Sequence, residues 1–259
     1  MSKWRPANSC IYVIPDIHGM KCELELILNR IIPLRKSEGN IDKLIFLGDY
    51  IDRRAASDSV LDLVMEIKED QPDQVFCLKG NHEQLLLEAS SPKATVHAYN
   101  MWMKNGGEHT FYGYLKRANS NVDNPYLIPR KNIDVYIPKE HMSFLLSLLP
   151  YYETNEYIFV HGGCDPFIPL NKQDPNTLIW DRSVYKNVTR MKEFNFNCPW
   201  SKTIVTGHNG ETHGKPFIYD KFMMLDCSPV EKLIVLELNS RECFSARSGK
   251  NRLVKEPLI

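Results

Sequence analysis

A short apolar run of β type, Cys10–Ile14, meets Pro15 and the polar group Asp16-Ile17-His18-Gly19. Leu24, Ile27, Leu28 and Ile31 follow at helical spacing, which predicts an amphipathic helix over Lys21–Ile32 that ends at Pro33. The unit then recurs. Leu44–Leu47 reads as a strand ending at Gly48-Asp49, and Val60, Leu63, Val64 and Ile67 mark one face of a helix over Ser59–Asp70. Val75–Leu78 is a third strand, ending at Gly80-Asn81-His82-Glu83, with a helix running on through Leu85–Leu87. Strands alternating with helices imply a largely parallel sheet covered by helices.

From Ser90 to Pro150 the pattern changes. This stretch holds Trp102, Asn105-Gly106-Gly107 and a helix near Lys139–Leu148, without a strand that ends in polar residues, and reads as a helical insertion beside the site. β signals return in Tyr157–Val160, leading into His161-Gly162-Gly163, and in Thr203–Thr206, leading into Gly207-His208-Asn209. Phe222–Asp226 and Leu233–Leu238 read as paired antiparallel strands. No Gly/Ser/Pro-rich linker interrupts the chain, so one domain over residues 1–259 is expected.

An apolar fraction of 43% with 25% charged residues is ordinary for a globular chain and argues against disorder. Lys plus Arg and Asp plus Glu both number 32, so no global field steers the protein toward nucleic acid or an anionic membrane, and neither is expected as a partner. Apolar runs are far too short for a membrane span, and the one behind Met1–Asn8 is too short for a signal-peptide core. The 7 cysteines are scattered without a CxxC pair, which fits a reducing, cytoplasmic setting; Cys164, beside His161-Gly162, is the one to watch.

Candidate chemistry lies at the strand ends: Asp16-x-His18, Gly48-Asp49-x-x-Asp52-Arg53, Gly80-Asn81-His82-Glu83, His161-Gly162 and Gly207-His208. Carboxyl ends of strands are where open α/β sheets bind ligands, so these clusters are expected to converge. Asp16, His18, Asp49, Asn81, His161 and His208 together offer carboxylate, amide oxygen and imidazole without thiolate. That donor set suits manganese, zinc or iron better than calcium. It is also too large for one ion that keeps an open position, and fits two divalent ions sharing a carboxylate.

As written, these clusters closely resemble those of the PPP-type (calcineurin-like) metallophosphoesterases, the family of serine/threonine protein phosphatases, from Asp16 to His208. Trp102-x-x-Asn105-Gly106-Gly107 and Ile179-Trp180-Asp181-Arg182 resemble the bacterial and bacteriophage-lambda-type members, and Leu225-Asp226-Cys227 looks like the start of the family's closing strands. The resemblance implies an α/β sandwich of two mixed sheets flanked by helices, with the helical insertion around residues 90–150. It also implies a dinuclear phosphoester hydrolase acting on a phosphorylated protein or small phosphoester through a metal-bridging hydroxide. Asp16 and His18 would bind the first metal, Asp49 would bridge, and Asn81, His161 and His208 would bind the second. Manganese is expected, with iron, zinc or nickel as alternatives. Arg53 and Arg182 would hold the phosphoryl oxygens, and His82, oriented by Asp52, would protonate the leaving oxygen.

One residue departs from the family pattern: Arg54 stands where a glycine usually follows the arginine. Arginine is mostly exposed, so Arg54 is expected to point to solvent, the alternative being added charge at the substrate mouth. His97, His109, His141 and His213 belong to no cluster and read as structural or surface residues. Trp102, Tyr99 and the Tyr151-Tyr152 pair read as packing, and Trp180 as buried. Glu83 reads as a first-turn helix acid, and Lys186–Lys192 as a solvated face. Two other functions stay open: a symmetrical dinucleoside polyphosphate hydrolase with the same metals, and a non-catalytic scaffold. Retention of every ligand plus His82 and Asp52 speaks against the scaffold.

Overall fold

The computed structural model describes residues 10–31, 36–37, 40–121, 124–127, 133–210 and 213–257. Ile32 and Pro33, expected to close the first helix, lie outside these, as does Met1–Asn8. The first half runs β1 (Ile11–Ile14), α1 (Lys21–Ile31), β2 (Lys36–Ser37), β3 (Asn40–Ile41), β4 (Lys43–Phe46), α2 (Ser57–Asp70), β5 (Val75–Cys77) and α3 (Asn81–Ser90). The insertion supplies α4 (Val96–Trp102), α5 (Glu108–Arg117), α6 (Ile133–Tyr136) and α7 (Lys139–Ser147). Then come β6 (Tyr152–Glu153), β7 (Tyr157–Phe159), α8 (Pro175–Trp180), α9 (Ser183–Glu193), β8 (Thr203–Thr206), β9 (Phe217–Tyr219), β10 (Phe222–Met224), β11 (Lys232–Glu237), β12 (Cys243–Arg247) and β13 (Lys250–Glu256).

The strands form two mixed sheets, β13-β12-β11-β1-β4-β5 and β6-β7-β8-β10-β9, with β2 and β3 pairing apart. Period-2 alternation stacks them. In the first sheet Ile14, Leu44, Phe46, Val75 and Val235 face the core built with α1, α2 and the insertion helices. Val13, Ile45, Leu47, Leu78 and Leu236 face the other way, meeting Phe159, Val205, Met223 and Leu225 of the second sheet. That sheet's outer residues, among them Ile158, Ile204, Phe222 and Met224, are covered by Leu178, Val184 and Val188 of α8 and α9. The layers therefore run helices, sheet, sheet, helices, and the one parallel sheet that alternation alone suggested is replaced by two mixed ones.

A second correction concerns the two late strands. β10 pairs with β8 and β9, whereas β11 pairs with β1 and β12, in the other sheet. The 3₁₀ turn Ser228–Val230 and left-handed Glu231 (φ 54°) lie between them. Met223 and Ile234 thus meet across the sandwich instead of side by side. Two apolar runs with a short break look like a hairpin, but alternation says nothing about which edge a strand joins. The insertion is tied back to the edge strand: Leu149 N–H donates to Cys77 O at 3.0 Å and Lys79 N–H to Leu149 O at 2.8 Å. Tyr152 stacks on Phe76 with centroids 3.9 Å apart, a packing role as expected. Cys164 is buried, and burial pushes its thiol up to about 12, which leaves it inert. No described helix is long and apolar enough to cross a membrane.

Candidate metal centre

The strand-end clusters converge. Asp16, His18, Asp49, Asp52, Asn81, His82, His161 and His208 are all buried, on loops or helix starts at the carboxyl ends of β1, β4, β5, β7 and β8. His18, Asp49, Asp52, Arg53 and His208 adopt positive φ, between 45° and 72°. Non-glycine residues rarely hold that conformation, and such strain collects where side chains must be aimed.

Asp49 stands at the middle. Its Oδ2 lies 3.5 Å from His18 Nε2, 3.3 Å from His161 Nε2 and 3.8 Å from His82 Nε2. The potential ligand atoms form two groups, His18–Asp49–His82 and Asp49–His161–His208, with Asp49 common to both. Asn81 Oδ1 lies 3.0 Å from His161 Nε2. Two rings have their tautomer set from behind: His18 Nδ1 donates to Ile51 O (2.8 Å) and His161 Nδ1 to Leu47 O (2.9 Å). His18, so held and neutral, aims a lone pair at an Asp49 oxygen, acceptor against acceptor, an arrangement that a cation between them resolves. His18 Nε2 and His208 Nε2 are buried without a hydrogen-bond partner, which again fits a metal.

Electrostatics agree with that use for His18 and His208. Burial, aided by His82, holds His18 well below its ordinary value, and burial with His161 brings His208 down to about 3, so both rings stay neutral as ligands must. For His161, burial is outweighed by the Asp49 carboxylate, which lifts the ring to about 9. Asp49 itself, despite burial, is held well below the carboxylate range by His161, His82 and His18.

Asp16 falls outside both groups. Its carboxylate oxygens each accept the His208 backbone N–H at 3.0 Å, and burial with nearby Asp226 raises it well above its ordinary value. This approach requires Gly207, where a Cβ would lie 2.0 Å from Asp16 Oδ1. Asp226 is a buried carboxylate that sequence reading left unassigned, although it follows the β10 strand as the other clusters follow theirs.

His82 and Asp52 pair as expected, Nδ1 to Oδ2 at 2.8 Å. Burial lowers His82, but Asp49 and Asp52 outweigh it and the ring is raised; burial also raises Asp52, offset in part by its hydrogen bonds. The other Asp52 oxygen accepts from Trp102 Nε1 (3.1 Å) and Thr110 Oγ1 (2.7 Å). Trp102 is thus a core anchor that also holds Asp52. Nothing in the sequence marked Thr110. Glu83 does more than serve the first turn of α3: it accepts from the backbone N–H of Asp49, Tyr50 and Gly80 at 2.8–2.9 Å, which locks the Asp49 turn to the helix. Burial, with Asp49, raises Glu83 to about 7.

Arg53 is exposed, with Nη2 3.3 Å from His82 Nε2. Its backbone N–H donates to Gly106 O at 3.1 Å, and Gly106 reaches it by a left-handed φ of 102°. Arg182 is exposed at the start of α9, near enough for its charge to help depress His208. Trp180 is 40% exposed, correcting the expectation of burial; its ring lies edge-on to His208, centroids 6.0 Å apart. The expectation for Arg54 is corrected too. Positive φ falls on Asp52 and Arg53, not on Arg54, so the turn needs no glycine there. Arg54 folds back half-buried, donating from Nη1 to His18 O at 3.2 Å. His141 is buried between Tyr114 Oη (2.8 Å) and Asp62 (2.9 Å), whereas His97, His109 and His213 are exposed.

Fold and site together define a phosphoesterase. Residues 11–222 match the calcineurin-like phosphoesterase model, and the chain belongs to that family of hydrolases. Serine/threonine-protein phosphatase 2 of Escherichia coli (strain K12) is 39% identical over 101 residues, 39% of this chain and 40% of that protein. Shewanella-like protein phosphatase 1 of Plasmodium berghei (strain Anka) is 23% identical over 245 residues, 90% of this chain and 61% of its own length. Matches to curated relatives thus span less than two thirds of those proteins. A solved structure of a candidate diadenosine tetraphosphatase shares the fold, with a TM-score of 0.57 at 16% identity over 93% of this chain and 94% of that one.

Proposed function

We propose that the chain is a metal-dependent serine/threonine protein phosphatase. Asp16, His18, Asp49, Asn81, His161 and His208 would hold two divalent ions, with manganese the first choice for this carboxylate, amide and imidazole set. When bound, such ions supply Lewis-acid charge and lower the pKa of water. The chain's own residues do the rest. Arg53 and Arg182, exposed guanidiniums on either side of the centre, hold the phosphoryl oxygens as planar forks. His82 keeps its Nδ1 proton on Asp52 and gives up the Nε2 proton, beside Arg53, to the leaving oxygen. Burial of His82 and Asp52 keeps bulk water from screening their pair.

The observation that supports this most is the single Asp49 carboxylate placed between the buried imidazoles of His18 on one side and His161 and His208 on the other. A cytoplasmic setting is proposed from the cysteines, none of which forms a disulfide. Purified protein supplied with manganese is expected to hydrolyse p-nitrophenyl phosphate and a phosphoserine peptide. Faster turnover of diadenosine tetraphosphate than of the peptide would replace the substrate class by dinucleoside polyphosphates. Folded protein inert with manganese, zinc, nickel and magnesium alike would refute the reading.

A further inference from the structure

A cleft of about 570 Å³ opens on the flank of the centre, between the start of α1, the Arg54–Ala56 turn and the tip of the β12–β13 hairpin. It adjoins the site through the chain itself: Gly19 in its wall follows His18, and Arg54 follows Arg53. Consecutive Cα atoms are about 3.8 Å apart, so Arg54 in the cleft wall lies within one residue's reach of Arg53, beside His82.

The lining has a distinct chemistry. Lys21, Arg54 and Lys250 contribute three cations to the lining; Glu23, the carboxylate in it, is buried in the first turn of α1, and Glu25 and Glu231 stand outside it. Arg54 is anchored at His18 O, with its other nitrogen 3.9 Å from exposed Glu231. Lys21 meets exposed Glu25 at 3.3 Å, and Lys250 is exposed at the hairpin tip. The Lys21–Glu25 pair, well exposed, is worth about 0–1 kcal/mol, and Glu231 meets Arg54 only at 3.9 Å, so both carboxylates exchange readily for another. Leu26 and Ala56 give the cleft an apolar wall that the methylenes of a side chain can cover.

We propose that this cleft is a substrate subsite that receives an acidic side chain next to the phosphorylated residue of a protein substrate, its methylenes on Leu26 and Ala56 and its carboxylate toward Arg54 and Lys250. This rests on the phosphatase reading above and adds a sequence preference to it. The Arg54 charge is then a specificity device, fixed in place by its hydrogen bond to His18 O.

Steady-state kinetics on the full chain with manganese test it, using phosphoserine peptides that differ only by Glu or Gln beside the phosphoserine. At low salt the Glu peptides are expected to show kcat/KM about three- to fivefold higher, carried in KM and shrinking as salt is added. In the Lys21→Glu/Lys250→Glu double variant, checked for folding by its thermal melt, the ratio falls to one or below. Arg54→Lys, which keeps the charge, retains the preference, whereas Arg54→Gln weakens it. Equal turnover of Glu and Gln peptides by the unaltered protein, or a ratio that survives the double charge reversal, overturns the subsite while leaving the phosphatase reading intact. Absence of turnover on every phosphoester, p-nitrophenyl phosphate included, overturns both.

Discussion

On one side of Asp49 stand His18 and His82, on the other His161 and His208; His18 and His161 are held alike by main-chain carbonyls, but His82 and His208 are held by different means. His82 is braced by Asp52, which is braced by Trp102 and Thr110, so its support runs three side chains deep into the insertion. The backbone of Arg53 leans on the same insertion through Gly106. Among the described residues His208 has no such chain behind its ring: its backbone N–H meets Asp16, its Nε2 has no hydrogen-bond partner, and exposed Trp180 stands perpendicular to it. His82 is set by a side-chain network, His208 by its own main chain against Asp16. Substitutions should therefore fail differently on the two sides.

His82→Asn should break the network side most severely, lowering turnover by about 10²–10⁴-fold while bound manganese is unchanged; unaltered turnover would remove His82 from proton transfer. Gly207→Ala strikes the opposite side. Its Cβ would push Asp16 off the His208 backbone, and manganese affinity measured by titration calorimetry should fall by about 10–100-fold. Thr110→Val deletes one donor to Asp52 and should cost about tenfold in turnover, with metal affinity retained, at a destabilisation of about 1–3 kcal/mol in denaturant melts. Were both of these last variants to lose metal equally, the contrast between the sides would collapse.

The smallest effect is expected away from the centre. Arg117 and His141 hold the Asp62 carboxyl below its ordinary value, overcoming the opposing effect of burial. A lowered folded-state pKa gives stability that is present above the unfolded value near 4 and is lost as pH falls through the folded one. Asp62→Asn should therefore lower the melting temperature at neutral pH by the equivalent of less than about 1 kcal/mol, since Asp62 is 47% exposed. The gap should close on acidification; a gap that widens below pH 4 would contradict the assignment.

The meeting of the strand-end clusters at one edge was legible because their residues obey local rules. A strand that ends in Gly-Asp or Gly-His needs no partner to be recognised, and each such cluster did reach the common edge. Residues that act across long sequence separations were not legible: Thr110 acts on Asp52 through a tertiary hydrogen bond, and no motif surrounds it. The sheet that receives β11 was hidden for the same reason, since Ile234 alternates alike whether its neighbour is β10 or β1. Arg54 was misjudged because composition averages place arginines at the surface, whereas the positive φ of Asp52 and Arg53 turns this one back over His18.

The shared carboxylate is tested most directly by counting metal. After dialysis against manganese and removal of free ion, elemental analysis of the unaltered protein should give two ions per chain, and Asp49→Ala should retain fewer than one while folding as before. One ion in the unaltered protein, or two in the Asp49→Ala variant, would contradict a centre built around that residue.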